Sequence, residues 1–251
     1  MKKIILFVLV FILVVSGGAV WFLNSDKLNS LIAQQIAVQG NKFTEQEVSV
    51  KKVDMQLLHG AGTIHGLTLH NPKPFSATPA FSLNKTTLDI NIESLATASN
   101  GGAIIIDELV IDKPEALVEF NETGGSNIQV ILDAINRNLP ASSTANTANT
   151  ESGGSDPKVR VKNFVLAGVS LSVDLTKLGN KIHKKTLTDI KLTNIGGDTG
   201  LPASELGGVL LKRALSAIWK SAKKEQEELI KDKVKDKVKN KAADLLNKLK
   251  G

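Results

Sequence analysis

Five stretches of this chain repeat one broken alternation of apolar residues, and no other feature limits its fold so tightly. They are Val50-x-x-Val53-x-Met55, Ile64-x-x-Leu67-x-Leu69, Ile106-x-x-Leu109-x-Ile111, Val161-x-x-Phe164-x-Leu166 and Leu187-x-x-Ile190-x-Leu192. Val48, Ile104 and Val159 extend three of them backwards by one more alternating residue. Apolar residues at every second place mark a strand with one buried face. A strict period of two would throw everything after the extra residue onto the opposite face. An extra residue absorbed as a bulge keeps both halves on the core side while it bends and twists the strand. Five such units with one offset predict a single sheet that is curved by design. The alternative makes each unit a short strand–turn–strand pair. Lys51-Lys52 and Lys162-Asn163 are not consistently turn formers, which favours the bulge.

Two further segments alternate cleanly. Thr86–Glu93 sets Leu88, Ile90 and Ile92 on one face, and Val169–Leu175 sets Val169, Leu171, Val173 and Leu175 inward. Strands with one wet face belong to antiparallel sheets rather than to parallel α/β sheets. The expected fold is therefore mainly β with helices (α+β), its curved antiparallel sheet forming an apolar groove. Val50, Val53, Ile64, Leu67, Leu69 and Ile90 would line it from the first half of the chain. Ile106, Leu109, Ile111, Val161, Phe164 and Leu166 would follow, with Leu171, Val173, Ile190 and Leu192 completing it.

Ile4–Leu23 holds no charge over twenty residues, about 30 Å as a helix and the thickness of a bilayer core. Residues 1–24 are thus expected to be a transmembrane anchor, with Ile4, Phe11 and Val15 in the apolar span. Lys2 and Lys3 precede it and favour the cytoplasmic side, while Trp21 suits the far interface. A cleaved signal peptide with Ile4–Val15 as its apolar region is the alternative. Apolarity resuming at Val20–Leu23 favours the anchor. Either way the rest of the chain is exported.

The net charge of +6 does not describe the body. Lys2 and Lys3 contribute +2 and the segment Lys220–Gly251 +5, so everything else sums to −1. A neutral body with basic ends excludes a nucleic-acid-binding domain. Cysteine is absent, which excludes disulfide frameworks and thiol chemistry, and 42% hydrophobic residues suffice for a core.

Helical signals frame the sheet. Asp26–Ala37 reads as a short amphipathic helix with Leu28, Leu31, Ile32 and Ile36 on one face, ending near Gly40-Asn41. Within a β domain of residues 25–201, residues 126–138 form an inserted helix whose stripe is Ile128, Ile131, Leu132 and Ile135. Residues 141–157 are polar low complexity and read as a flexible loop. From 202 to 251 the period is helical again. Leu206, Leu210, Ala214 and Ile218 form a buried face, followed by a Lys-rich part with Ile230, Val234 and Val238. That part would dock on the body or, through residues 223–251, on a protein partner; an interfacial membrane helix is the alternative.

No catalytic, metal or cofactor motif emerges. His59, His65, His70 and His183 share no metal-ligand spacing, and Asp107, Glu108 and Asp112 read as solvent-face carboxylates. Gly196–Gly200 lacks the P-loop lysine. The expectation is a protein that is not an enzyme and holds no cofactor.

GTIHGLTLHNPKPF (Gly62–Phe75), IIIDELVIDKPEALVEF (Ile104–Phe120), GGSNIQVILDAI (Gly124–Ile135) and KVRVKNFVLAGVSLSV (Lys158–Val173) resemble the bacterial AsmA-like envelope proteins. Asn71-Pro72 and Ser126-Asn127 match that family's Asn-Pro after an early strand and its Ser-Asn opening a helix. AsmA-like proteins are similar to the repeating β-groove lipid-transfer proteins. The resemblance implies an inner-membrane protein facing the periplasm, with membrane and phospholipid as partners and a part in envelope homeostasis. About ten strands at roughly 4.8 Å would give only about 50 Å of sheet, too short to bridge an envelope.

Overall fold

The structure is a computed structural model and describes residues 26–98, 100–140 and 156–250. The expected anchor, with Ile4, Phe11, Val15 and Trp21, lies outside the described residues, as do residues 141–155 of the low-complexity stretch. Among the described residues no helix is long and apolar enough to cross a membrane.

The chain is mixed α+β, with a curved sheet that does not close. In order the elements are α1 (Asp26–Thr44), β1 (Val48–Gln56), β2 (Ala61–Leu69), β3 (Phe81–Ile90), α2 (Ile92–Ala98), β4 (Ile104–Asp112) and β5 (Glu115–Glu119). There follow α3 (Asn127–Asn138), β6 (Lys158–Ala167), β7 (Ser170–Asp174), β8 (Ile182–Thr186), β9 (Ile190–Ile195), β10 (Leu201–Pro202) and α4 (Ala203–Lys250).

Apart from the short β10, these strands form six long ones. β3 pairs with β4 and then with β5 in one unbroken register, from Ile111↔Thr86 to Ala116↔Phe81. β4 and β5 run beside β6 and β7, each residue next to the one 55 places further on, from Ile104↔Val159 to Glu119↔Asp174. β9 and β8 continue each other along β6 and β7 in the same way. Six strands at about 4.8 Å span only about 24 Å, half the width expected from ten.

The interruptions fall in a row. Lys51 lies across from Gly66, Gly66 from Asn84, Asn84 from Lys113, Lys113 beside Gly168 and Gly168 across from Thr188, and none of these has a ladder partner. Gly66, Lys113 and Gly168 have φ of 62°, 44° and 59°. A shorter second row holds Asp107, Lys162 and Asn194, and Lys162 Nζ sits 2.6 Å from Asp107 Oδ1. Among the described residues the sole register shift lies where this second row meets β3, between Asp89 and Ile90. Elsewhere each extra residue faces another, so the sheet is creased without slipping. Both halves of each strand stay on the core side, as in Ile104, Ile106, Leu109 and Ile111, and in Val159, Val161, Phe164 and Leu166.

Three expectations are corrected. The sheet is not purely antiparallel, because β4–β6 and β5–β7 are parallel. The segment between Phe120 and Lys158 contains α3 and is long enough to return the chain to the same end, as a parallel neighbour requires. Leu187-x-x-Ile190 is not a bulge inside one strand but the joint of β8 and β9 on the first row. Ile92 leaves the strand face to start α2 and is 51% exposed, so the inward face of β3 runs instead from Phe81 and Leu83 through Thr86 to Ile90.

Helices α1, α3 and α4 pack on the core face and on one another. α1 runs through Gly40-Asn41 to Thr44 rather than breaking there. A Cβ on Gly40 would lie 2.8 Å from Cβ and Cγ1 of Val48, so this glycine marks a close approach of α1 to β1 and not a helix end. α4 is a single helix of 48 residues, about 72 Å long. Its first half buries Val209, Ala214, Leu215, Ile218 and Ala222. Trp219 meets Phe120 at a ring-centroid distance of 5.5 Å, and further along Glu225 pairs with Lys185 at 2.7 Å and Lys233 donates to the Gly179 carbonyl.

Alanine in place of a mid-helix glycine ordinarily stabilises by roughly 0.5–1 kcal/mol. Gly40→Ala is expected to do the reverse and destabilise by about 1–3 kcal/mol through overpacking, measured by urea unfolding. Adding Val48→Ala should recover part of that loss.

Candidate functional site

Between the sheet and the helices α1 and α4 lies an elongated cavity of about 380 Å³. It extends along α1 from Leu28 to Phe43, about 22 Å of helix. Carbon lines nearly all of it. α1 contributes Leu28, Ile32, Ile36 and Phe43, and β1 to β4 and β6 supply the floor.

Over the cavity α4 presents Leu206, Leu210 and Leu211 interspersed with the small residues Ala203, Ser204, Gly207, Gly208 and Ala214. Farther along, the same helix presents Leu215, Ile218 and Trp219, which fill the space above β5 to β7. There α3 adds Ile128, Ile131 and Ile135, each fully buried, worth roughly 1.5–3 kcal/mol apiece. One half of the core is therefore packed and the other is open inside.

The expected groove residues divide accordingly. Ile64, Leu67, Leu69, Ile90, Ile106, Leu109, Ile111 and Phe164 line the cavity. Val53, Val161, Leu166, Leu171 and Val173 are buried but do not reach it, because helices or neighbouring side chains cover them. Val50, Ile190 and Leu192 are half-buried and also stay outside it. The open trough expected from the strand pattern is thus a roofed chamber over half of the sheet.

Few polar groups enter the chamber. Gln35 and Gln39 lie one turn apart on the inward face of α1, and Thr86 joins the lining from the sheet. The Oε1 atom of Gln39 is buried and has no hydrogen-bond partner among the described residues. Among the described residues Asp156 is the single charged one in the lining, and its carboxylate accepts from the Ser204 hydroxyl at 2.5 Å and the Ser204 backbone N–H at 3.3 Å, capping α4. Strand periodicity could not single out the two glutamines. The available signal was an amide pair at i and i+4 within an otherwise apolar helix face.

A buried polar latch holds α3 against the sheet. Asn127, with no exposed surface, donates to Asn71 Oδ1 at 2.7 Å and to the Leu117 carbonyl at 2.8 Å, and accepts from the Glu119 N–H at 2.9 Å. Asn71 and Ser76 in turn donate to Glu119 Oε2, and Ser126 caps the helix by accepting from Gln129 N–H. Asn71-Pro72 and Ser126-Asn127, far apart in sequence, are brought into contact here. At the other end of α3, Asn138 and Arg137 donate to Glu45 at the end of α1, and these bonds, Asn138's first, hold the Glu45 carboxyl below its usual range. Lys185 is raised above the ordinary lysine range by its hydrogen bond to Glu225.

The histidines stand apart from the chamber, and among the described residues no three His, Asp or Glu side chains are grouped to hold a metal ion. Asp107, read as a solvent-face carboxylate, is partly exposed and pairs with Lys162 at the second row of interruptions. No protein-family model, curated protein or solved structure matches this chain.

Asn127→Leu should strand the Glu119 N–H and the Leu117 carbonyl and cost about 1–3 kcal/mol in urea unfolding, with α3 losing hydrogen-exchange protection first.

Proposed function

We propose that this chain is an AsmA-like envelope protein, anchored in the bacterial inner membrane by Ile4–Leu23 with its bulk in the periplasm, and that it binds lipid without catalysing a reaction. The observation that supports this reading is the carbon-lined chamber under α1 and α4. Its 380 Å³ falls in the range of small-ligand sites, roughly 300–1,000 Å³, and its length suits an aliphatic chain laid along the strands. An apolar site of this kind gains affinity from the hydrocarbon removed from water, about 0.8 kcal/mol per methylene. A sheet only six strands wide favours local lipid handling, within phospholipid homeostasis, over transport across an envelope.

The test is lipid retention by the full-length protein. Native mass spectrometry after purification from membranes should show bound lipid. Leu88→Trp, which places bulk at a half-buried position of the lining, should reduce occupancy about tenfold while leaving the fold intact by circular dichroism. Undiminished lipid in that variant counts against the chamber as the site.

A second reading, an envelope scaffold or outer-membrane assembly factor, is favoured by the distal half of α4. The helix continues past its contact at Lys233, and Ile230 and Val238 are 44% and 64% exposed. Deleting residues 234–251 should leave the melting temperature within about 2 °C of the full chain, since little core is removed, and should abolish cross-linking to a partner protein in envelope preparations. Cross-links that persist after the deletion speak against this role.

A further inference from the structure

We infer that the Gln35–Gln39 pair is a polar anchor and that the chamber takes an aliphatic chain ending in an uncharged, hydrogen-bonding group, such as the glycerol end of a monoacylglycerol. This rests on the lipid-binding reading and narrows it. A buried acceptor without a partner destabilises the protein that carries it, so its placement calls for a physical reason. Gln39 Oε1 is such an atom, and Gln39 lies on the chamber wall among Ile32, Ile36 and Phe43. A hydroxyl both donates and accepts, so it satisfies an amide presented either way round. Small-ligand sites commonly combine an apolar lining with a few such groups that orient the ligand.

Charge decides the class of head group. Among the described residues no Lys or Arg lines the chamber, and the one carboxylate there, Asp156, is committed to Ser204. A phosphate brought to Gln39 would be desolvated with no cation to meet it and a carboxylate sharing the chamber, which is prohibitive beside an apolar wall. An uncharged diol meets no such barrier.

The experiment uses the full-length protein in amphipol and two probes with the same acyl chain, 1-monopalmitoylglycerol and 1-palmitoyl-lysophosphatidylglycerol, compared by titration calorimetry. The monoacylglycerol should bind about tenfold more tightly. Gln39→Leu should remove most of that advantage and leave lysophospholipid affinity unchanged, and the unliganded variant should melt no lower than the parent because the orphaned acceptor is gone. Lysophospholipid binding as tightly as monoacylglycerol, or a Gln39→Leu variant that keeps the preference, overturns the anchor and leaves the lipid reading standing. A variant that loses both affinities and melts lower shows a packing role and also overturns it. If neither probe binds the parent protein, both readings fall together.

Discussion

The architecture depends on interruptions that are matched from strand to strand. An extra residue in one strand alone would shift the register and rotate the following side chains onto the wrong face. Here Lys51, Gly66, Asn84, Lys113, Gly168 and Thr188 line up across the whole sheet, so each strand takes its extra residue where its neighbour does. The ladders on both sides of the row keep one register, and the bend concentrates in the row. Positive φ at Gly66, Lys113 and Gly168 is the local conformation through which the chain makes that bend. The second row, secured by Lys162 and Asp107, spans only β4, β6 and β9 and fades into a register shift at β3. A crease across part of a sheet must end in such a mismatch.

A creased sheet presents more apolar surface than three helices can fill evenly. α3 is held by the Asn127 latch over β5 and covers its half with isoleucines. α1 lies along β1, drawn close at Gly40, and is tied to α3 at its end through Glu45. α4 bridges the two, with the chamber under its first turns and solid core farther along. The chamber thus lies between the helices and a sheet face that is apolar except at Thr86. Its other uncharged polar side chains include Gln35 and Gln39 of α1.

Much of the sheet was legible because its pattern is local. An apolar residue two places on, then three, then two is a direct readout of which side chains face inward, and Ile104–Ile111 and Val159–Leu166 follow it throughout. The reading failed where identity disguised position. Thr86 occupies an inward place with a polar side chain, which hid the same broken pattern in β3 and gave Ile92 to the strand. Pro114 hid the second interruption in the strand made of β4 and β5. Gly40 looks like a helix stop unless Val48 is known to lie against it. The candidate site was half legible: the strand residues and the apolar faces of α1 and α4 followed from their periods, whereas the placing of those helices over the sheet and the two glutamines did not.

The order of residues by itself determined the apolar face of most strands, the breaks in β1, β2, β4 and β6, and that the segments opening near Asp26, Ser126 and Pro202 are helical, because these depend on neighbours within a few places along the chain. Only the tertiary structure decided that the breaks form a continuous row, that β4 and β6 run parallel, and that the apolar face is roofed into a chamber. Each of those outcomes depends on residues well apart in the chain, 55 places between β4 and β6, meeting across strands or between helix and sheet, and no local period carries that distance.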